Sequence, residues 1–326
     1  MRIVVTGAAS PLGRAVVAEL QKRGHRAVGI VRRLNGVKQM ENLGAEPFTG
    51  DVRRPEVVAR AMEGADAVYH LAGYFDFWEP APGIYESVNV GATRNVLAAA
   101  LLAKVKRVLL CSSAITIGEE NGAVGDEFSR HRGHTRTRLE ESKLEAERLA
   151  LRTRKRGVEV VVVNPGIVVA PRDSGWTGML LRNTVTGRRP LASEAPLSWV
   201  WVEDAANGIV RAGEVGADGA RYILSGEVMS SRRFLGMVAA SVGAPPPRAL
   251  SPRLTMAEAA LATALARTTK RRPALALDEA RFLTQGFKVD GSFAEHELGI
   301  EYTPASRYIP GLARDYVKAM ELFTRA

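Results

Sequence analysis

The chain has one cysteine, Cys111, in 326 residues. A lone thiol closes no internal disulfide and builds no thiolate metal centre by itself. Histidine is also scarce: the five present are scattered, with no HExxH or paired CxxC spacing, so no metal is expected. No GxSxG turn is there to carry a nucleophilic serine. Long apolar runs are missing too. The longest, Val158–Val169 and Leu254–Ala266, fall short of the ~20 residues that cross a bilayer. The first apolar run begins at Ile3 and enters a glycine-rich loop at Gly7, unlike a secretory signal. A cytoplasmic protein without a membrane partner is therefore expected.

Lysine is rare beside arginine. Nine Lys among 45 basic residues leave 36 Arg, and the formal net charge is +10. The arginines are spread along the whole chain, a pattern of codon bias more than of a binding patch. Their densest cluster, Arg267–Arg272, follows an apolar helical stretch and could meet phosphate or an acidic membrane surface. No aromatic residues are interleaved with it as stacking platforms, so no nucleic-acid partner is expected.

The composition does provide material for a core: 46% of residues are apolar, enough for one large domain or two modest ones. Short β-branched runs at Ile3–Thr6, Ala27–Val31, Ala67–Leu71, Val108–Ser112 and Val158–Asn164 alternate with amphipathic stretches near Leu12–Arg23, Glu56–Met62, Ile84–Leu102 and Arg138–Arg156. That rhythm predicts successive βαβ units, hence an α/β fold with a doubly wound, Rossmann-type parallel sheet. Gly24 and Gly157 sit where helices should end. After Pro165 the rhythm breaks, Pro245–Pro247 marks a second boundary, and the last third reads mostly helical.

The first strand leads into TGAASPLG and then a helix, the context in which such a turn holds a dinucleotide. Gly7 permits the tight turn and Gly13 the close helix packing, while the helix N-terminus offers unpaired N–H groups to a pyrophosphate. Ser10 stands where a middle glycine is usual; Pro11 and Leu12 complete the turn. Arg32 and Arg33 follow the second strand, where NAD-selective proteins carry an acidic residue for the ribose 2′-hydroxyl. Guanidinium groups there suit a 2′-phosphate, so NADP is expected ahead of NAD.

Taken in order, TGxxxxxG, Asp51-Val52, HLAG at His70–Gly73, Asn89, CSSA at Cys111–Ala114, SKLEAE at Ser142–Glu147 and NPG at Asn164–Gly166 resemble an extended short-chain dehydrogenase/reductase of the epimerase/dehydratase type, nearest its dihydroflavonol-reductase-like branch. The resemblance implies that residues 1–170 form the cofactor domain, that 198–224 return to it, and that 171–326 form a substrate-binding region. It implies that Asp51 and Val52 contact the adenine, that Leu71, Ala72 and Gly73 line the dinucleotide cleft with Asn89, and that Pro165, Gly166 and Val168 border the nicotinamide. Lys143 would hold the nicotinamide ribose, and Ser113 would hydrogen-bond the substrate oxygen as charge develops there.

One element of that pattern is absent. The family's proton donor is a tyrosine four residues before the lysine, on the same helix face; here that position is Leu139. Tyr74, in the GYFDFW loop, is best placed to substitute, although with Phe75, Phe77 and Trp78 it reads equally as an aromatic wall. His131 and His134 precede the active-site helix. Water held by Ser113 and Lys143 is another proton source. The leading expectation is an NADPH-dependent oxidoreductase acting on a carbonyl or hydroxyl of a small, partly apolar molecule. The alternatives are an inert NADP-binding regulator and a nucleotide-sugar epimerase or dehydratase, which Leu139 disfavours. A homodimer through the stretches 84–102 and 138–156 is possible by the same resemblance.

Overall fold

The structure, a computed structural model, describes residues 1–325 except Asn121, Arg189, Leu250 and Lys270, and the side chains of those residues up to Met320. Lys270 of the basic cluster thus lies outside the described residues.

The first half runs β1 (Arg2–Thr6), α1 (Pro11–Lys22), β2 (Arg26–Val31), α2 (Leu34–Asn42), β3 (Glu46–Thr49), α3 (Pro55–Ala61) and β4 (Ala67–His70). A π-helical turn at Glu86–Gly91 then runs into α4 (Ala92–Leu102), followed by β5 (Arg107–Cys111), α5 (Arg138–Thr153), β6 (Glu159–Pro165) and β7 (Ile167–Val169). Local chemistry sets these limits. Ser10 caps α1, its Oγ accepting from the Gly13 N–H at 3.0 Å, and Pro11 occupies the first turn, where no N–H is missed. Gly13, Val16, Val17 and Leu20 recur at helical spacing and are buried. Thr137 caps α5 in the same way, its Oγ1 accepting from the Glu140 N–H at 3.1 Å. Gly24 and Gly157 follow the helical segments with φ of +78° and +96°.

Among the described residues, seven parallel strands pair in the order β10–β6–β5–β4–β1–β2–β3, where β10 is Arg221–Leu224. Val160 to Val163 are buried on both faces of β6, as a parallel sheet covered by helices requires. Chain order runs outward from β1 in both directions, so the topological switch lies between β1 and β4. The crevice at the carboxyl ends of these two strands is where this architecture takes a ligand.

The second half supplies α6 (Trp176–Val185), β8 (Leu191–Ala192), β9 (Pro196–Trp201), α7 (Val202–Val215), then β10, β11 (Glu227–Ser230), α8 (Ser231–Ala240), β12 (Arg248–Ala249), α9 (Pro252–Thr269), α10 (Leu277–Gln285), α11 (Ser292–Leu298) and α12 (Ala305–Arg325). The return to the large sheet is made by β10, while β9 joins a small sheet with β7 and β11. A separate apolar cluster fills this half, with Trp199 stacked on Phe234 at 4.1 Å between centroids.

Candidate active site

The residues singled out from the sequence gather at the carboxyl edge of the sheet. Gly7 follows β1, Arg32 and Arg33 follow β2, Asp51 and Val52 follow β3, Leu71 to Gly73 follow β4, Ser113 follows β5, and Pro165 ends β6. The turn after β1 admits no side chain at two places. Gly7 has φ of +69°, and a Cβ on it would lie 2.8 Å from the Ala72 nitrogen. A Cβ on Gly13 would lie 2.2 Å from the Gly7 oxygen. Backbone therefore packs on backbone, leaving the start of α1 open to a phosphorylated ligand. Ser10 is exposed and uses its hydroxyl on the Gly13 N–H, so Pro11 and Leu12 carry the rest of the turn. The expected outcome for Gly13→Ala is loss of nucleotide binding together with a stability decrease of about 1–3 kcal/mol, read by calorimetry and thermal melting.

Arg32 and Arg33 are exposed, and neither guanidinium is in an ion pair among the described residues. Asp51 accepts the Arg53 N–H at 2.9 Å and pairs with its guanidinium at 2.6 Å, which holds the carboxyl below its usual range. Val52 is buried behind it. Gly166 lies against β9, where a Cβ would be 2.7 Å from the Ser198 oxygen, and Val168 pairs with Val200 in the small sheet.

A buried hydrogen-bond chain supports the loop after β4. Thr93 Oγ1 donates to the Asn89 carbonyl at 2.6 Å, which fixes the direction of the rest. His70 Nε2–H then donates to Thr93 (3.1 Å), Thr6 Oγ1 donates to His70 Nδ1 (2.6 Å), and the Ala72 N–H donates to Thr6 (3.0 Å). Complete burial pushes the His70 pKa down to about 3, so the imidazole stays neutral and acts as a strut. Asn89 adds a clamp: its Oδ1 accepts the Tyr74 N–H at 2.7 Å, and its Nδ2 donates to Ser142 Oγ at 2.8 Å. The loop is thereby tied to α5, the helix that carries Lys143.

Lys143 is buried. Its Nζ donates to the Cys111 carbonyl at 3.3 Å, sits 3.9 Å from the centroid of the Phe75 ring, and lies where a Cβ on Gly73 would be 2.8 Å away. No carboxylate pairs with it among the described residues, and burial pulls its pKa down to about 8. Ser113 follows β5, its carbonyl accepting from the Thr116 N–H (3.1 Å) and from Asn164 Nδ2 (3.3 Å). Its hydroxyl has no hydrogen-bond partner among the described residues and is only partly covered. Behind it, the fully buried Glu147 accepts from Thr116 Oγ1 (2.9 Å) and Asn164 Nδ2 (3.0 Å), and pairs with Arg221 at 2.9 Å.

Leu139 is buried in the apolar cluster with Phe77, Tyr85 and Ile117. The Tyr74 hydroxyl donates to the Trp78 carbonyl at 2.6 Å, and burial raises its pKa to about 12. Tyr85, whose hydroxyl donates to the Asp76 carbonyl, packs edge-on against Tyr74. His131 lies against Gly118 and 3.8 Å from Glu140, with its pKa lowered by burial, while His134 is exposed. Around Glu140 the chain assembles a cluster not anticipated from sequence: Arg132 pairs with Glu140, and Arg136 lies 3.7 Å from Glu119, beside a small cavity also lined by Thr137 and Phe287. Farther out, Phe77, Trp176 and Phe282 from three segments meet at 4.7–5.6 Å between centroids.

The NAD dependent epimerase/dehydratase family matches residues 3–224. The chain belongs to this family. Relatives cover nearly all of its length: a sterol demethylase protein B of Methylococcus capsulatus is 29% identical over 92% of this chain and 93% of its own. A Synechocystis protein bearing a dihydroflavonol 4-reductase name is 28% identical over 91% and 89%. The fold matches dTDP-glucose 4,6-dehydratase from Streptomyces venezuelae, solved with NAD bound, with a TM-score of 0.79 at 19% identity over 98% of this chain and 97% of that one. Membership makes a nicotinamide dinucleotide the family's cofactor, and the side-chain-free cradle at Gly7 and Gly13 fits that group. Among the described residues no helix is long and apolar enough to cross a membrane.

Proposed function

We propose that the protein is an NADPH-dependent oxidoreductase that interconverts a carbonyl and a hydroxyl on a small, largely apolar molecule. The observation that carries this reading is the meeting of Lys143 Nζ with Gly73 and the Cys111 carbonyl, two residues before Ser113, whose hydroxyl has no hydrogen-bond partner among the described residues. When bound, the cofactor supplies or accepts a hydride. Gly7 to Gly13 would hold its pyrophosphate, Arg32 and Arg33 its 2′-phosphate, Asp51 and Val52 its adenine, and Lys143 its nicotinamide ribose.

The remaining work falls to this chain's own side chains. Ser113 donates to the substrate oxygen and stabilises the charge that builds there. Tyr74, already committed to the Trp78 carbonyl, joins Phe77 and Trp176 in the pocket wall. The proton comes from the Lys143 ammonium, directly or through one water, since Leu139 can carry none. An acid with a pKa of about 8 is well matched to this task near neutral pH. Reduction should therefore be constant below about pH 8 and fall about tenfold per unit above it. A rate that rises or stays flat from pH 8 to 10, at saturating cofactor, would exclude Lys143 as the donor.

The sterol and flavonol names of the relatives, together with the aromatic wall, support a ring-bearing apolar substrate. The test is turnover of NADPH against a panel of apolar ketones, aldehydes and nucleotide sugars: reduction of the apolar ketones is expected. Tight cofactor binding with no turnover on any compound would favour a regulator instead. A homodimer through α4 and α5 belongs to the same proposal and is read by light scattering.

A further inference from the structure

Helix α9 buries one face and leaves the other without a partner. Thr255, Ala259, Thr263 and Ala266 are buried, and the helix packs on α10, where Thr263 Oγ1 accepts the Leu277 N–H at 2.9 Å. On the opposite face, Leu254, Leu261 and Leu265 recur at i, i+7 and i+11 and are 65%, 74% and 64% exposed. Ala257 and Ala264 flank them, also exposed. Single exposed leucines are ordinary, but three on one helical stripe are not. The stripe is bracketed by charge of one sign: Arg253 stands at its start, Arg267 and Arg271 at its end, all exposed, and Glu258 is the one acidic residue of the helix.

We propose that this face of α9 docks on an anionic lipid bilayer, lying in the interface with its leucines in the acyl boundary and its arginines among the headgroups. Charge decides among occupants. A second copy of the chain would present the same arginines and be repelled, whereas acidic headgroups complement them. Nucleic acid would leave the leucines in water and find no aromatic side chain on α9 to stack upon. The sequence expectation of no membrane partner rested on the lack of a spanning segment, which a surface contact does not need.

The location gives the contact a use. α10 carries Phe282 into the aromatic group with Phe77 and Trp176, the Trp176 indole donates to Glu279 at 2.6 Å, and Arg272 is paired with Asp76 of the loop after β4. The α9–α10 hairpin thus packs against this aromatic group, and docking α9 brings it to the phase in which an apolar substrate dissolves. Only this last step rests on the proposed activity; binding itself is measured without substrate or cofactor.

The experiment is flotation of the full chain with phosphatidylcholine vesicles, with and without about one third phosphatidylglycerol. Binding is expected to the anionic vesicles and to weaken as salt rises. Leu261→Glu with Leu265→Glu should lower partitioning at least about tenfold without changing the melting temperature, and Glu258→Gln should raise it. Leu34→Glu, on α2 and 81% exposed, should change nothing. Equal partitioning of the leucine variants and the native chain would overturn the proposal. So would an absence of vesicle binding, or a dimer that those substitutions convert to monomer, which would assign the face to a second copy.

Discussion

Leu139→Tyr is expected to raise kcat for carbonyl reduction about tenfold, less than the ~10²–10⁴ that a positioned general acid contributes to a site without one, because Lys143 already delivers a proton. Leu139 and Lys143 lie one turn apart on α5, so a phenol at 139 would project on the lysine's side of the helix. The lysine beside it would favour the ionised phenol and so tune it as an acid. The leucine is buried among apolar side chains, and the added hydroxyl must find a partner there. A melting temperature lowered by a few degrees together with a faster rate is therefore the full expectation. A folded variant with an unchanged rate would mean that proton delivery does not limit turnover, and the reading of Leu139 as the missing donor would be abandoned.

Lys143→Met should act on rate and stability in opposite senses. The rate should drop about 10³-fold, because both the proton source and the ribose contact are removed. Stability should rise. The folded pKa of Lys143 is about 8 against an ordinary 10.5, so the fold favours the neutral amine. The stability carried by that amine is fully present above about pH 10.5 and is lost as pH falls towards 8. At pH 7 the native protein bears the whole penalty, about 3 kcal/mol before the Phe75 ring offsets part of it. Methionine has similar length and no charge to desolvate, so the variant should melt higher at pH 7 and lose that advantage by about pH 11. A variant that is slower and also less stable at pH 7 would show that the ammonium is stabilised in place, and the pH argument would fail with it.

The turn after β1 and the strands of the large sheet were legible because their chemistry is local. TGAASPLG encodes a turn, a cap and a helix start within eight residues, and the valines of β6 announce a strand covered on both sides. Elements with weak stripes were missed. In α2 only Gly36 and Met40 are buried, and β3 is a four-residue edge strand that tolerates Pro47. Networks that close over long separations were also out of reach: His70 is defined by Thr6 and Thr93, and the ion cluster at Glu119 and Glu140 by a loop meeting the end of α10. The Tyr74 hydroxyl illustrates a third limit. Its residue type suggested an acid or a wall, and only the path of the loop to the Trp78 carbonyl distinguishes the two.

The central claim is that the turn after β1 and the arginines after β2 form an electropositive cradle for a 2′-phosphorylated dinucleotide. Isothermal titration of the native chain and of Arg32→Ala with Arg33→Ala, each with NADPH and NADH, tests it most directly. The native chain should bind NADPH at least about tenfold more tightly than NADH, and the double variant should bind both alike. Heat from neither coenzyme with folded protein, or an NADH preference that survives in the variant, would contradict it.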